Sequence, residues 1–501
     1  MGKEFDIPKE VIAIAAALER GGFEAYVVGG CVRDMFLGRE AEDWDVATNA
    51  RPEEIQALFP DNFYENKFFT VTVQTGSNQP KLANIEVTTF RAEFGYGDRR
   101  HPEDVRYAKT IEEDLSRRDF TVNAIALKIK RQKSRLPARQ AKNNVYEIVD
   151  PFGGREDLKN KIIRAVGNPA ERFQEDALRM LRAVRFVSTL GFSLEKETEE
   201  AIRKFAPLLK EISMERVRDE FMKMIASRNA ARSVDALREV GLLAQFLGEL
   251  EEGWEVGQNK HHIYTVWEHN VRALAYAAKQ EWDPLVRLAS LLHDVGKPRT
   301  KEGDGPDSTF YNHEMVGARM AREILSRLKF SKKDMEKVVV LVRYHLFYYN
   351  VGEVMESSVR RLLLKVGMEN IEDLLKVRMA DRIGSGVPKA EPYKLRHLRY
   401  LLDKVARDPI SAKMLKVNGA DIMAMLSIEP GPRVGAILDA LLAEVLDDSK
   451  RNAREWLEGR AKELALLSDE ELALMRKRAR LEKDEAQEEV EQEAKQKYWV
   501  R

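Results

Sequence analysis

The chain of 501 residues carries 83 basic and 83 acidic residues, so its formal net charge is zero. That balance excludes a global attraction to nucleic acid, and any RNA contact has to come from local patches. The length calls for several domains. The single cysteine, Cys31, excludes an intrachain disulfide and suits a reducing cytosol, and neither a secretion signal nor a long apolar run is present.

Residues 8–20 repeat apolar side chains at helical spacing and stop at Gly21-Gly22. A strand over 24–28 follows. The stretch YVVGGCVRDMFLGREAEDWDVAT at 26–48 then reads as strand, Gly-Gly turn, short helix, Gly turn and second strand. Asp43 and Asp45 flank Trp44, so on a strand both carboxylates point to one face. Two carboxylates so placed repel unless a cation lies between them, and hard oxygen ligands favour Mg²⁺. Gly29 and Gly30 permit close backbone approach, the next helix start offers N–H groups to phosphate, and Arg33 is within reach of an anion. A buried turn beside surface acids is the competing reading.

Pro52 opens a helix over 52–58, and residues 68–76 and 83–91 alternate as strands. The second of these strands carries Glu86, with Asn84 and Thr88 on the same face. Glu86 is either a third acid near the metals or ordinary solvated sheet. Residues 93–107 are rich in Gly, charge and Pro, as a mobile loop is. SRRDFTVNAIAL at 116–127 sets Arg118 beside Asp119 and puts Asn123 on the helix face of Asp119. Residues 128–142 form a basic surface loop without an acid. Residues 150–169 are turn-rich, with a short strand around 162–165.

EDALR at 175–179 begins a helical stretch on which Asp176 and Arg179 share a face. They form either a surface ion pair or a base reader. Cytosine and adenine both offer an amino donor beside a ring-nitrogen acceptor, which a carboxylate and a guanidinium satisfy, whereas uracil and guanine present the reverse order. A helix over 212–227 opens on Ser213. Further on, His269, His293, Asp294 and Asp381 come from separate helices and suit a divalent metal, with His313 and His345 as candidate neighbours. Two apolar helices over 415–448 bring Arg433 to a helix start, as a phosphate contact or as part of a small core. From 451 onward, mixed charge reads as a solvated helix or a short coiled-coil segment.

GGCVRD at 29–34, LG at 37–38, DWDVAT at 43–48, RRDFTVNA at 117–124 and EDALR resemble the class II branch of the tRNA nucleotidyltransferase and poly(A) polymerase family. The pattern H…HD…D resembles the HD metal-dependent phosphohydrolases. The resemblance implies an α+β chain: a nucleotidyltransferase head with a small mixed sheet (1–150), then a long all-α body. That body would comprise a base-selecting neck (151–250), an HD domain (251–410) and an RNA-proximal tail (411–501). It implies template-independent addition of C and A to the tRNA 3′ end from CTP and ATP, in the cytoplasm and away from membranes.

By the same resemblance, Asp43, Asp45 and Glu86 would serve Mg²⁺, while Gly29, Gly30 and Arg33 would hold the triphosphate. Arg118, Asp119 and Asn123 would hold the sugar and triphosphate, and Asp176 and Arg179 would read the base. The HD set, His269, His293, Asp294 and Asp381, would hold a divalent metal and hydrolyse phosphate esters. Residues 93–107 resemble the family's flexible loop at full length. Phe68-Phe69 depart from it where a glycine is expected. An A-only tRNA enzyme, a poly(A) polymerase and an HD phosphohydrolase with a silent head remain rivals, and the oligomeric state is open.

Overall fold

A computed structural model describes residues 5–65, 69–94, 104–130, 145–259, 263–347, 349–351, 353–405, 412–468 and 471–472. The chain divides into two compact units, residues 1–251 with 326–330, and residues 252–325 with 331–501.

The first unit is built on strands β1 (Ala25–Val28), β2 (Asp45–Thr48), β3 (Asn62–Glu65), β4 (Thr70–Gln74), β5 (Asn84–Thr89), β6 (Arg91–Phe94), β7 (Asp104–Tyr107), β8 (Ala126–Lys130) and β9 (Val145–Val149). Among the described residues, seven form one sheet in the order β3-β4-β5-β2-β1-β8-β9. β2 runs parallel to β5 and the other neighbours pair antiparallel, so the sheet is mixed. β1 lies inside the sheet with all four residues buried, which is why AYVV reads as a continuous apolar run. Tyr26, Val28, Ala47, Phe90, Ile111, Leu115 and Ala126 share one core cluster.

Several expectations change. β6 and β7 pair antiparallel in a ribbon of their own, so 104–107 is strand rather than loop. The loop centre at 95–103 and most of the basic stretch, 131–144, lie outside the described residues. Residues 116–124 do not open an α-helix. A 3₁₀ turn, Thr121–Asn123, is followed by β8, and this stretch is buried from Phe120 to Leu127. Phe69 adopts φ +52°, the left-handed region in which glycine is at ease. Its ring stacks on Tyr107 at 4.8 Å and 29°, and its carbonyl accepts from Thr89 N at 3.1 Å. An aromatic pair contributes about 1 kcal/mol, which offsets the backbone cost of that conformation.

The first unit continues through helices Pro169–Glu175, Leu178–Leu190, Met214–Ala226 and Ala230–Glu239. The second unit contains Val266–Lys279, Pro284–Leu292, Lys332–Tyr344, Glu356–Val366, Met368–Gly384 and Tyr393–Val405. Its last helices, Gly419–Leu426, Pro432–Asp447 and Arg454–Ala465, bury Ile422, Ile437, Leu441, Leu457 and Leu464 together. Residues 454–465 therefore form a helix with one packed face, through Leu457, Ala461 and Leu464, and a solvated remainder. Arg433 donates to the carbonyls of Ala465 (3.0 Å) and Leu467 (2.6 Å), closing a helix C-terminus instead of facing a phosphate. No described helix is long and apolar enough to cross a membrane.

Gly154 shows how tightly the turn after β9 is seated. A Cβ there would lie 2.1 Å from the carbonyl oxygen of Thr121. Gly154→Ala should destabilise the first unit by about 1–3 kcal/mol, read as a lower Tm, because backbone rather than a flexible side chain must move. An unchanged Tm would contradict this packing.

Candidate active site and metal centre

β1 ends in Gly29, whose φ of +81° turns the chain into the helix Gly30–Leu37. A Cβ at position 29 would lie 2.9 Å from Arg118 Nη1 and 3.3 Å from Asp45 Oδ2. A cation and a carboxylate thus converge over a bare Cα. Asp45 opens β2, opposite Glu86 on the parallel neighbour β5, so the two acids sit side by side. Trp44 is buried. Asp43 is exposed and lies just outside the strand rather than on it. Burial pushes the Asp45 carboxyl up, Arg118 counters this, and the charge of Asp43 adds to it. Asp43 and Asp45 therefore sense each other, although the D-W-D spacing predicts both on one strand and Asp43 lies outside it. A carboxyl raised by burial and by a like charge is relieved by a bound cation, and all three side chains offer oxygen. This donor set fits Mg²⁺.

Arg118 comes from the other side of the turn. Its Nη2 lies 3.5 Å from Asp114 Oδ2, and its Nε is buried without a hydrogen-bond partner. Burial works against the charge of Asp114, but Arg117 and Arg118 outweigh it and hold that carboxyl below its usual value.

Arg33 is not free to wait for a phosphate, as the sequence suggested. It forks onto Asp34 with two contacts of 2.9 Å and donates to Asn123 Oδ1 at 2.9 Å. Asn123 Nδ2 donates to Asp119 Oδ1 at 3.1 Å, and Asp119 Oδ2 receives Arg182 at 2.6–2.7 Å. Asp119 also accepts from the Phe120 N–H. Asp119 and Asn123 do meet, but across a 3₁₀ turn and inside a polar chain, Asp34–Arg33–Asn123–Asp119–Arg182. The guanidinium groups of Arg33, Arg182 and Arg185 surround the buried ring of Phe186 at 4.7–5.8 Å. Burial opposes the charge of Asp119, yet Arg182 and Asn123 overcome it and take the carboxyl down to about 2.

Asp176 and Arg179 are not on one helix face. Asp176 is extended (φ −144°) in the break between Pro169–Glu175 and Leu178–Leu190, where it caps the second helix through Leu178 N at 3.0 Å. Its carboxylate is gripped by Arg216, at 2.8 and 3.4 Å. Arg179 is buried and pairs with Glu175 at 2.5 Å, and Arg172 takes the other oxygen of Glu175 at 2.5 Å. Among the described residues, the ion-pair reading of Asp176 with Arg179 is replaced by Asp176–Arg216 and Arg179–Glu175. Sequence reasoning missed Arg182, Glu175 and Arg216. The R-x-x-R spacing of Arg179 and Arg182 was a readable signal. Arg216, forty positions from Asp176, left none.

In the second unit, His269 Nε2 lies 2.8 Å from His293 Nε2, 3.0 Å from Asp294 Oδ2 and 3.4 Å from Asp381 Oδ1. The four residues named from the sequence thus converge. His313 and His345 join them, with their Nε2 atoms 3.3 and 3.4 Å from Asp294 Oδ1. His293, His313 and His345 each turn Nδ1 onto a backbone carbonyl at 2.7–2.8 Å, which points their Nε2 atoms inward. Two groups with metal-binding spacing result, His269–His293–Asp381 and His293–Asp294–His345. Burial pushes the His293 imidazole down, but Asp294 and Asp381 reverse this and raise it to about 10. Imidazoles and carboxylates buried this closely call for a cation, and the donor set fits a divalent one.

Residues 25–164 match the family model for the poly A polymerase head domain, residues 191–253 that for a probable RNA and SrmB-binding site of polymerase A, and residues 266–385 that for the HD domain. The CCA-adding enzyme of Geobacillus stearothermophilus is 33% identical over 466 residues, covering 90% of this chain and 96% of that protein. The chain belongs to the tRNA nucleotidyltransferase and poly(A) polymerase family. An A-adding tRNA nucleotidyltransferase of Deinococcus radiodurans is 34% identical over 438 residues, covering 83% of this chain and 90% of its own. The structure of a Bacillus stearothermophilus CCA-adding enzyme in complex with CTP superposes with a TM-score of 0.62 at 29% identity, covering 91% of this chain and 96% of that one.

The carboxylate of Asp119 yields a pH test. Its folded value is depressed, so its contribution is complete above about pH 4 and is lost as pH falls toward 2. A fall from 3.8 to about 2 corresponds to about 2 kcal/mol. Asp119→Asn should cost stability of that order at pH 7, with the gap closing in unfolding titrations below pH 4. A gap independent of pH would contradict the assignment.

Proposed function

We propose that this protein is a nucleotidyltransferase that adds C and A to the 3′ end of tRNA, taking CTP and ATP. The tRNA 3′-hydroxyl oxygen attacks the α-phosphorus, its proton leaves, and the P–O bond to pyrophosphate breaks. The observation that carries this reading is the convergence of Asp45 and Arg118 on the bare Cα of Gly29, with Glu86 beside Asp45 on the neighbouring strand. Asp43, Asp45 and Glu86 would hold Mg²⁺. When bound there, Mg²⁺ lowers the hydroxyl's pKa and stabilises the departing oxygens. Arg118 and the N–H groups after Gly29 receive the triphosphate. Arg33, Asp119 and Asn123 act as struts that fix the turn against the Leu178–Leu190 helix.

Asp176 receives the amino group of cytosine or adenine. Arg216 and the Leu178 N–H fix its orientation and leave it lone pairs to spare. Arg179 reaches a ring nitrogen by exchanging its weak contacts to the Arg172 and Arg117 carbonyls, 3.3 and 3.4 Å. The four-part division at residues 150, 250 and 410 supplies the functional layout, and the cytoplasm the setting.

Labelled NTPs offered singly to tRNAs ending before C74, C75 and A76 test this. Expected are C, C and A in turn, with UTP and GTP rejected and Asp45→Ala inactive. The relative named A-adding makes one outcome pointed: A incorporated only on tRNA ending in CC would replace this reading. Arg216→Ala should relax discrimination against UTP while Mg²⁺ dependence stays.

The second centre is a separate divalent-metal site, with phosphate-ester hydrolysis as its reaction. In an Asp45→Ala background, Mn²⁺ titrated by calorimetry should bind to it, and adding Asp294→Ala should weaken that binding by more than about tenfold. Equal binding in the two proteins would remove the assignment.

A further inference from the structure

The helix Tyr393–Val405 has two unlike faces. Leu395, Leu398, Leu402 and Val405 are buried on one. The other carries Tyr393, His397 and Tyr400 at i, i+4 and i+7, one above the next. Tyr393 and Tyr400 are 61% and 60% exposed. Ring centroids are 5.9 Å apart for Tyr393–His397 and 6.1 Å for His397–Tyr400. Tyr349 hydrogen-bonds His397 Nδ1 through its hydroxyl and so fixes the middle of the row.

Bases outnumber acids along this segment. Residues 389–404 contain five Lys or Arg and two acids, within a chain of zero net charge. Arg399 is paired with Glu372 and Glu391, and Lys404 with Glu356. Among the described residues, Lys394 donates to the neutral Asn350 and forms no ion pair. Lys389 and Arg396 are exposed, and among the described residues neither forms an ion pair.

We propose that this face of Tyr393–Val405 is a docking stripe for unstacked bases of the tRNA substrate, an inference that rests on the tRNA reading above. Exposed tyrosine rings present π-faces to bases, and Lys389, Lys394 and Arg396 meet the phosphates on either side. A protein partner fits less well. Protein interfaces are depleted of lysine at their cores, and here the cations stand among the aromatics.

The double variant Tyr393→Ala/Tyr400→Ala in the full-length protein should raise KM for tRNA by about tenfold, with KM for CTP and kcat unmoved. Tyr393→Phe/Tyr400→Phe keeps the ring faces and should keep tRNA affinity. Lys394→Ala/Arg396→Ala should reduce the salt dependence of tRNA binding by about one unit of log–log slope per charge. Unchanged tRNA KM in an alanine variant that still adds C and A would overturn the stripe while leaving the activity standing. So would phenylalanine variants as weak as the alanine ones, or an alanine effect confined to self-association in sedimentation equilibrium. A wild type without incorporation would instead remove the activity reading itself.

Discussion

A guanidinium and a carboxylate can close over the backbone at residue 29 only because that residue has no side chain. The positive φ of Gly29 turns β1 into the Gly30–Leu37 helix and exposes the Cα to Arg118 and Asp45. The parallel register of β2 with β5 then sets Glu86 beside Asp45. The sheet supplies the acids, the turn supplies N–H groups, and the segment before the 3₁₀ turn supplies the cation.

Behind that turn stands a second layer of charge. Asp119 and Asp114 are buried, and both are held ionised by arginines. Buried pairs of this kind add little net stability, but removing one partner strands the other and is costly. They specify an arrangement: Arg182 ties Asp119 to the Leu178–Leu190 helix, and Arg216 ties Asp176 to Met214–Ala226. The second centre follows the same logic with imidazoles, which backbone carbonyls orient one by one.

Much of this was legible in the residue order, and what was not has physical reasons. The helix over 52–58 and the strand before Gly29 follow from local signals: a proline at a helix start and an apolar run. The helix break at Asp176 was hidden, because EDALRMLRAV keeps helical periodicity straight through it. Arg216, remote in sequence, and the Leu178 N–H together hold that carboxylate at the break. Arg33 looked available for phosphate because sequence shows a charge and not its partners. The tail helix at 454–465 looked solvated because its three core positions are outnumbered by charge. Phe69 was visible as a departure from glycine, but the stacking on Tyr107 that sustains its backbone was not.

Gly29→Ala is the sharpest probe of the arrangement, since it changes one methyl group at the point of convergence. Measured as the rate of C incorporation into tRNA at saturating CTP and Mg²⁺, it should fall by more than about 100-fold, because the methyl displaces reacting groups. The thermal unfolding of the HD-containing unit should be retained. A rate within about twofold of wild type would contradict the account, since the close approach of Arg118 and Asp45 would then not be what the chemistry requires.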